Sequence, residues 1–190
     1  MDNIPEQMFW YIVTMEIIPD LTPGRLVMLV LPPRAPLVLE LLAQAALRGS
    51  VCVLDGGNSL DAHWLARRLR RERGDLEGLL ANVEVARSFT CYQMLTLLKK
   101  TEVRGQVILV LDMLATFYDE SVHLHESRRV LEVCTLELLR LSRSTPIVLT
   151  ACPPRLLQPE RQILFETLGA LVDLILAPEP QEQQPALRLL

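Results

Sequence analysis

Three short stretches of this 190-residue chain hold residue types that could do anion or metal chemistry. The apolar run Val107-Ile108-Leu109-Val110-Leu111 is followed by Asp112, a carboxylate placed where a buried strand would end. Gly56-Gly57-Asn58-Ser59 stands before a helical stretch and could offer backbone N–H groups to an anion; an ordinary Gly-Gly turn leading into a capped helix accounts for the same residues. The third stretch is Pro32-Pro33-Arg34-Ala35-Pro36, between the apolar run Leu26–Leu31 and a leucine-rich helix from about Leu37. In a nucleotide-binding α/β domain, that first strand-to-helix turn is where phosphate is cradled. A loop of the form GxxxxGK[ST] does so with glycines that reach left-handed angles, inward N–H groups and a lysine. Proline has a fixed φ and no N–H, so it supplies none of these. The only lysines are Lys99 and Lys100, and no Gly-Lys pair exists.

Other clusters carry weaker chemistry. Arg67, Arg68, Arg70, Arg71 and Arg73 fall within seven residues of a helical stretch whose apolar stripe includes Ala62, Leu65, Ala66 and Leu69. Such a surface could contact phosphates of a nucleic acid with little sequence preference, or serve as a solvated face diluted by Glu72 and Asp75. His123-x-His125 could offer two metal ligands, but a solvated histidine pair is the favoured reading; no metal site is expected. Cys52, Cys91, Cys134 and Cys152 lack CxxC spacing and lie in apolar segments, as buried thiols do. With three histidines and no supporting motif, no Ser-His-Asp or Cys-His arrangement can be argued. The aromatic cluster Phe9-Trp10-Tyr11 in the apolar run Met8–Val13 could pack into the chain's own core or contact a partner.

The elements that must position these residues follow from periodicity. Short apolar runs at Leu26–Leu31, Val51–Asp55, Val83–Ala86, Val107–Asp112, Ile147–Ala151 and Leu171–Leu176 read as buried strands. Helical stretches fall at 37–48, 60–73, 91–100, 124–142 and 160–169, with Gly49 as a helix stop and Ser59 as an N-cap. The alternation predicts an α/β fold of three layers, a mainly parallel sheet with helices on both faces joined by right-handed crossovers. Residues 1–20 read as an arm or added strand, and 21–190 as a single domain. The polar, proline-rich stretch after Pro178, followed by apolar Ala186–Leu190, allows a C-terminal antiparallel hairpin.

Several of these segments, in order, resemble the ATPase core of RecA/RadA-type recombinases and their paralogs. Pro19-Asp20-Leu21-Thr22-Pro23-Gly24-Arg25-Leu26-Val27 looks like the lead-in to that family's phosphate loop. Leu80–Thr90, with Asn82-Val83 and Ala86-Arg87-Ser88-Phe89, is similar to the third strand and its exit. Val107–Asp112 matches a Walker B strand, Met113–Tyr118 the segment after it, Arg128–Leu141 the long leucine-faced helix and Pro146–Ala151 the next strand. The resemblance implies a RecA-like P-loop NTPase fold over most of 20–176. It also implies that Asp112 would help hold Mg²⁺ in an active relative, together with a loop hydroxyl. Here that hydroxyl is missing, which leaves a vestigial or structural carboxylate as the other reading.

The departures shape the functional expectation. The vestigial nucleotide site, Pro32, Pro33, Arg34, Ala35, Pro36 and Asp112, lacks its Walker A motif. Gly56-Gly57-Asn58 follows Asp55 where the family places a water-polarising carboxylate, and Cys152-Pro153-Pro154 replaces a polar sensor. Phosphoryl transfer depends on positioning and charge neutralisation, so loss of several parts together predicts a pseudo-ATPase with no cofactor. The positions of the family's two DNA-binding loops, Tyr118–Arg129 and Cys152–Glu160, are acidic and proline-rich here.

The expected role is a catalytically inactive interaction or scaffold component in DNA recombination or repair, self-associating or bound to a protein partner. A nucleic-acid-binding module using the arginine helix and a cryptic NTPase are the alternatives. Half the residues are hydrophobic and mean hydropathy is +0.26, enough for a sizeable core with apolar surface left for a partner. A net charge of −4 argues against a whole-surface nucleic-acid binder. No apolar run approaches the ~18–20 residues of a membrane span. The N-terminus lacks the positive region of a secretory signal, so a cytoplasmic location is expected.

Overall fold

Five-residue apolar runs too short for helices, separated by segments with apolar residues every three or four positions, leave the chain one economical arrangement: strands buried on both faces with helices above and below. The computed structural model describes the backbone of residues 2–4 together with residues 22–72, 75–104 and 106–178. Among them are seven strands: β1 (Asp2–Ile4), β2 (Leu26–Val30), β3 (Val51–Asp55), β4 (Val83–Arg87), β5 (Val107–Leu111), β6 (Ile147–Ala151) and β7 (Leu174–Pro178). The helices are α1 (Pro36–Arg48), α2 (Ala62–Leu69), α3 (Leu76–Ala81), α4 (Cys91–Lys100), α5 (Leu124–Ser142) and α6 (Gln162–Gly169), with 3₁₀ turns at Ala115–Phe117 and Pro159–Arg161.

All described pairings are parallel, in the order β1-β7-β2-β6-β5-β3-β4. Alternation along the central strands divides the core in two. Val27, Leu29, Val53, Leu109 and Val148 face α1 and α2. Leu26, Met28, Leu54, Ile108, Val110, Ile147 and Leu149 face the layer of α4, α5 and α6. Because the chain steps from β2 through β3 to β4 in one direction and returns through β5, β6 and β7 in the other, it leaves β2 and β3 toward one helical layer and β4, β5 and β6 toward the other. The loops after β2, β3, β5 and β6 thus meet at the C-terminal edge of the sheet, where α/β folds place ligands.

Local chemistry sets the boundaries. Pro36 opens α1 at a position where its missing N–H costs nothing, and the Gly49 N–H donates to the Ala45 carbonyl where α1 stops. Thr90 caps α4 by accepting from the Gln93 N–H, and Lys99 and Lys100 sit in its last turn, favourable to the helix dipole.

Three sequence expectations need correction. The N-cap after β3 is Asp61, which accepts from the Trp64 N–H at 2.9 Å; the Ser59 N–H and hydroxyl are already committed to Asp55. The helix expected over 60–73 is shorter, running as α2 only to Leu69, and a further helix that the sequence reading did not place, α3, starts after Asp75, which caps it by accepting from the Glu77 N–H. The last strand begins at Leu174, not Leu171. The Asp173 carboxylate accepts from the Leu26 N–H and the Asp173 N–H donates to the Leu26 carbonyl, which pins the register beside β2.

Residues 2–4 add a parallel edge strand beside β7. Phe9, Trp10 and Tyr11, Arg73 and the C-terminal hairpin expected after Pro178 lie outside the described residues. No helix among the described residues is long and apolar enough to cross a membrane.

Candidate functional site

The loop after β2 is built without a cradle. Pro32, Pro33 and Pro36 have no N–H, and the Ala35 N–H is turned inward onto the Pro32 carbonyl at 3.2 Å. The preceding Leu31 N–H donates to the Ala151 carbonyl of β6. Within 32–36 only the Arg34 amide lacks a backbone partner among the described residues. Arg34 itself is exposed and held at φ +61°, a left-handed conformation uncommon for a long side chain.

The loop after β3 is organised by Asp55, which is fully buried. Its Oδ1 accepts from the Ser59 N–H at 3.0 Å and the Ser59 hydroxyl at 3.3 Å, and Oδ2 accepts from the Leu60 N–H at 3.2 Å. The Arg87 guanidinium approaches Oδ2 at 3.5 Å from the end of the adjacent strand and also donates to the Leu60 carbonyl. Both oxygens are spent on tying Gly56–Leu60 into a turn, with Asn58 at φ +50°. The amides of Ser59 and Leu60 therefore point at a carboxylate of the same chain, and the ordinary turn is the arrangement adopted.

Asp112 follows β5 at φ +46°, only 6% exposed. Its N–H donates to the Thr150 hydroxyl of β6 at 2.8 Å, and its carbonyl accepts from the Ala115 N–H. The carboxylate atom Oδ2 is buried with no hydrogen-bond partner among the described residues. Burial pushes the Asp112 carboxyl above the usual range, and the nearby Asp55 charge adds to this against the opposing effects of Ser59, Thr150 and Arg34. The turn after β3 lies directly over it. A Cβ at Gly57 would stand 2.5 Å from both Cβ and Oδ2 of Asp112, and one at Gly56 would stand 2.9 Å from the Asp112 carbonyl. Only glycine allows this approach. Three non-glycine residues with positive φ, Arg34, Asn58 and Asp112, thus occupy three neighbouring loops at one edge of the sheet.

The loops after β5 and β6 are joined by side chains that sequence patterns do not reveal. The Tyr118 hydroxyl donates to the Cys152 carbonyl at 2.9 Å. Gln158 Nε2 donates to the Tyr118 carbonyl and to Glu120 Oε1. Arg161, 5% exposed, donates to the carbonyls of Phe117 and Val122 and to the Ser127 hydroxyl. Between the loops lies a cavity of about 540 Å³ whose lining includes Pro33, Asp112, Tyr118, Asp119, Glu120 and Arg155. Pro33 and Asp112 both line this cavity, and the roles of Tyr118, Gln158 and Arg161 depend on loop partners 34 to 44 positions away in the chain.

The arginine cluster resolves into different environments. Arg67, Arg70 and Arg71 are exposed on and just after α2. Arg68 instead forms a two-point contact with Glu40 of α1, both at 2.9 Å, and a further bond to Glu72. Its ion-pair partners hold the Arg68 guanidinium's pKa above the ordinary value. His123 and His125 are exposed at the start of α5, and no group of three potential metal ligands occurs among the described residues. Cys52, Cys91 and Cys134 are buried; burial pushes the Cys52 thiol up to about 11 and the Cys134 thiol up to about 12. No protein-family model matches the chain, and no curated protein matches it.

Proposed function

We propose that this chain is a catalytically inactive RecA-like protein, a pseudo-ATPase that serves as an interaction or scaffold component in DNA recombination or repair. The observation that carries the inactive reading is the edge of the sheet described above. The loop that would hold phosphate has three prolines and turns its Ala35 amide inward, while the Gly56–Gly57 turn packs against the Asp112 carboxylate. The order that sets β6 between β2 and β5, so that loop and carboxylate share one edge, supports a nucleotide-site ancestry. The process rests on the RecA/RadA resemblance, carried by the ordered segments from Pro19 to Ala151.

A scaffold needs surface for partners, and the described residues supply it. Among the described residues β4 is an edge strand with Val85 exposed, followed by Phe89 at 70% and Tyr92 at 46% exposure. Calorimetry with Mg·ATP tests the inactive reading: no heat of binding is expected, and micromolar affinity would favour a cryptic NTPase instead. Light scattering together with capture from the native host tests the scaffold: a strict monomer that recovers no partner would refute it.

The exposed Arg67, Arg70 and Arg71 favour a second reading, a nucleic-acid-binding module. Fluorescence anisotropy with single- and double-stranded DNA decides it, because binding through phosphates falls steeply with salt. No signal at low salt would dismiss that reading.

A further inference from the structure

Building on the scaffold reading, we propose that the cleft on α2 between Trp64, Arg67 and Arg71 docks an acidic peptide segment of a protein partner. The segment carries one apolar residue and two carboxylates at alternate positions. The cleft has a volume of about 230 Å³, and among the described residues Trp64, Arg67, Arg68 and Arg71 line it. That is below the roughly 300–1,000 Å³ of small-ligand pockets and suits individual side chains.

Positive charge is left over in this cleft. Arg68 is matched by acids of its own chain: Glu40 holds its guanidinium at two points and Glu72 at a third. Asp61 is spent on capping α2. Arg67 and Arg71 enter no ion pair among the described residues. They stay on one face because the turn runs on past Leu69, with the Arg70 N–H donating to the Ala66 carbonyl and the Arg71 N–H to the Arg68 carbonyl. Like charges four positions apart repel, a cost that an incoming anion relieves. Trp64 packs against the core yet is only half-buried, and the rest of it lines the cleft.

Spacing defines what fits. Four helical residues rise about 6 Å, and alternate residues of an extended segment lie about 6.6 Å apart on one face. Carboxylates at alternate positions therefore match Arg67 and Arg71, whose guanidinium forks suit them. An apolar residue at the preceding alternate position falls over Trp64. Tryptophan and arginine are the side chains that anchor protein interfaces, and the chain's two lysines sit in the other layer, on α4. A long polyanion fits less well. The basic stretch covers two turns, exposed Asp75 and Glu77 follow it, and the whole chain carries a net charge of −4.

Fluorescence anisotropy of the full chain tests this with a labelled Leu-Ala-Glu-Ala-Glu peptide, its Leu-Ala-Gln-Ala-Gln counterpart and a labelled oligothymidylate. At low salt the acidic peptide is expected to bind and the glutamine peptide is not. Arg67→Gln and Arg71→Gln, both at exposed positions, should each weaken binding about tenfold. Arg70→Gln, outside the cleft, should change it less than about twofold. No binding of the acidic peptide, equal binding of the glutamine peptide, or an equal loss in Arg70→Gln overturns the docking site. Those results leave the scaffold reading standing, since light scattering and capture decide it separately. Oligothymidylate that binds more tightly than the peptide and is lost in Arg67→Gln would overturn the docking site in favour of the nucleic-acid module.

Discussion

Replacing Gly57 by alanine tests whether the turn after β3 truly rests on the Asp112 carboxylate. The added methyl would stand 2.5 Å from Asp112 Cβ and Oδ2 and 2.9 Å from Cγ. Asp112 cannot swing aside cheaply, because its N–H is bonded to Thr150 and its backbone is already left-handed. The turn is equally constrained, since Asp55 holds Ser59 and Leu60, and the Gly56 N–H donates to the Leu111 carbonyl at 2.8 Å. Overpacking into a site with no slack costs about 1–3 kcal/mol, and an approach this close belongs at the upper end. For a chain of this length about 3 kcal/mol corresponds to a fall in Tm of roughly 6–12 °C. Thermal unfolding followed by circular dichroism reads the shift. Gly49→Ala is the internal control: a Cβ there meets nothing within 4 Å on extended backbone, so Tm should stay within about 1 °C. Asp112→Gly in the Gly57→Ala background removes all three clashing atoms and relaxes the left-handed residue, and should recover most of the loss. A Gly57→Ala protein as stable as the wild type, or one that Asp112→Gly fails to rescue, would refute the packing of this turn onto the carboxylate.

Three further perturbations probe the same edge and its surroundings. Because the folded-state pKa of Asp112 is raised, the folded chain binds more protons there than the unfolded one as pH climbs above the ordinary carboxylate range, so this group's contribution declines with rising pH. Asp112→Asn should therefore gain stability relative to wild type between pH 4 and pH 8 in urea titrations, and an unchanged difference across that range would contradict the assignment. Arg161→Ala strands the Phe117 and Val122 carbonyls and should cost about 3 kcal/mol, read as a lower urea midpoint; a loss below about 1 kcal/mol would show that Arg161 does not join the two loops. Arg68→Ala removes the two-point contact with Glu40 and should cost about 1 kcal/mol, whereas Arg67→Ala on the exposed side should change stability by less than about 0.5 kcal/mol. Equal effects would mean that the two arginines are not distinguished as described.

Tertiary structure corrected the sequence reading where boundaries depend on distant partners. Ser59 has the chemistry of an N-cap, yet Asp55 claims both its N–H and hydroxyl first, and the helix is capped two residues later by Asp61. Leu171 and Val172 continue an apolar run, but a strand can begin only where its backbone meets a neighbour, and Asp173 makes that contact with Leu26, 147 positions away in the chain. The arginine cluster reads as one basic surface in the sequence. Folding brings Glu40 of α1 against Arg68 and so removes one member from the solvent-facing set.

Local, short-range physics was legible from the residues themselves. The continuous apolar runs of β3 and β6, the helical spacing of α4 and α5, the stop at Gly49 and the three prolines of Pro32–Pro36 need no knowledge of the fold, because backbone angles, donors and periodicity are properties of neighbouring residues. What lies over Asp112 was decided elsewhere. That Gly57 presses against it, that Oδ2 stays unpartnered, and that Tyr118, Gln158 and Arg161 knit two loops around a cavity all follow from strand order, which sets remote segments side by side. A sequence constrains conformation one turn or one strand at a time; steric contact and burial of charge arise only once the sheet has brought its loops to a common edge.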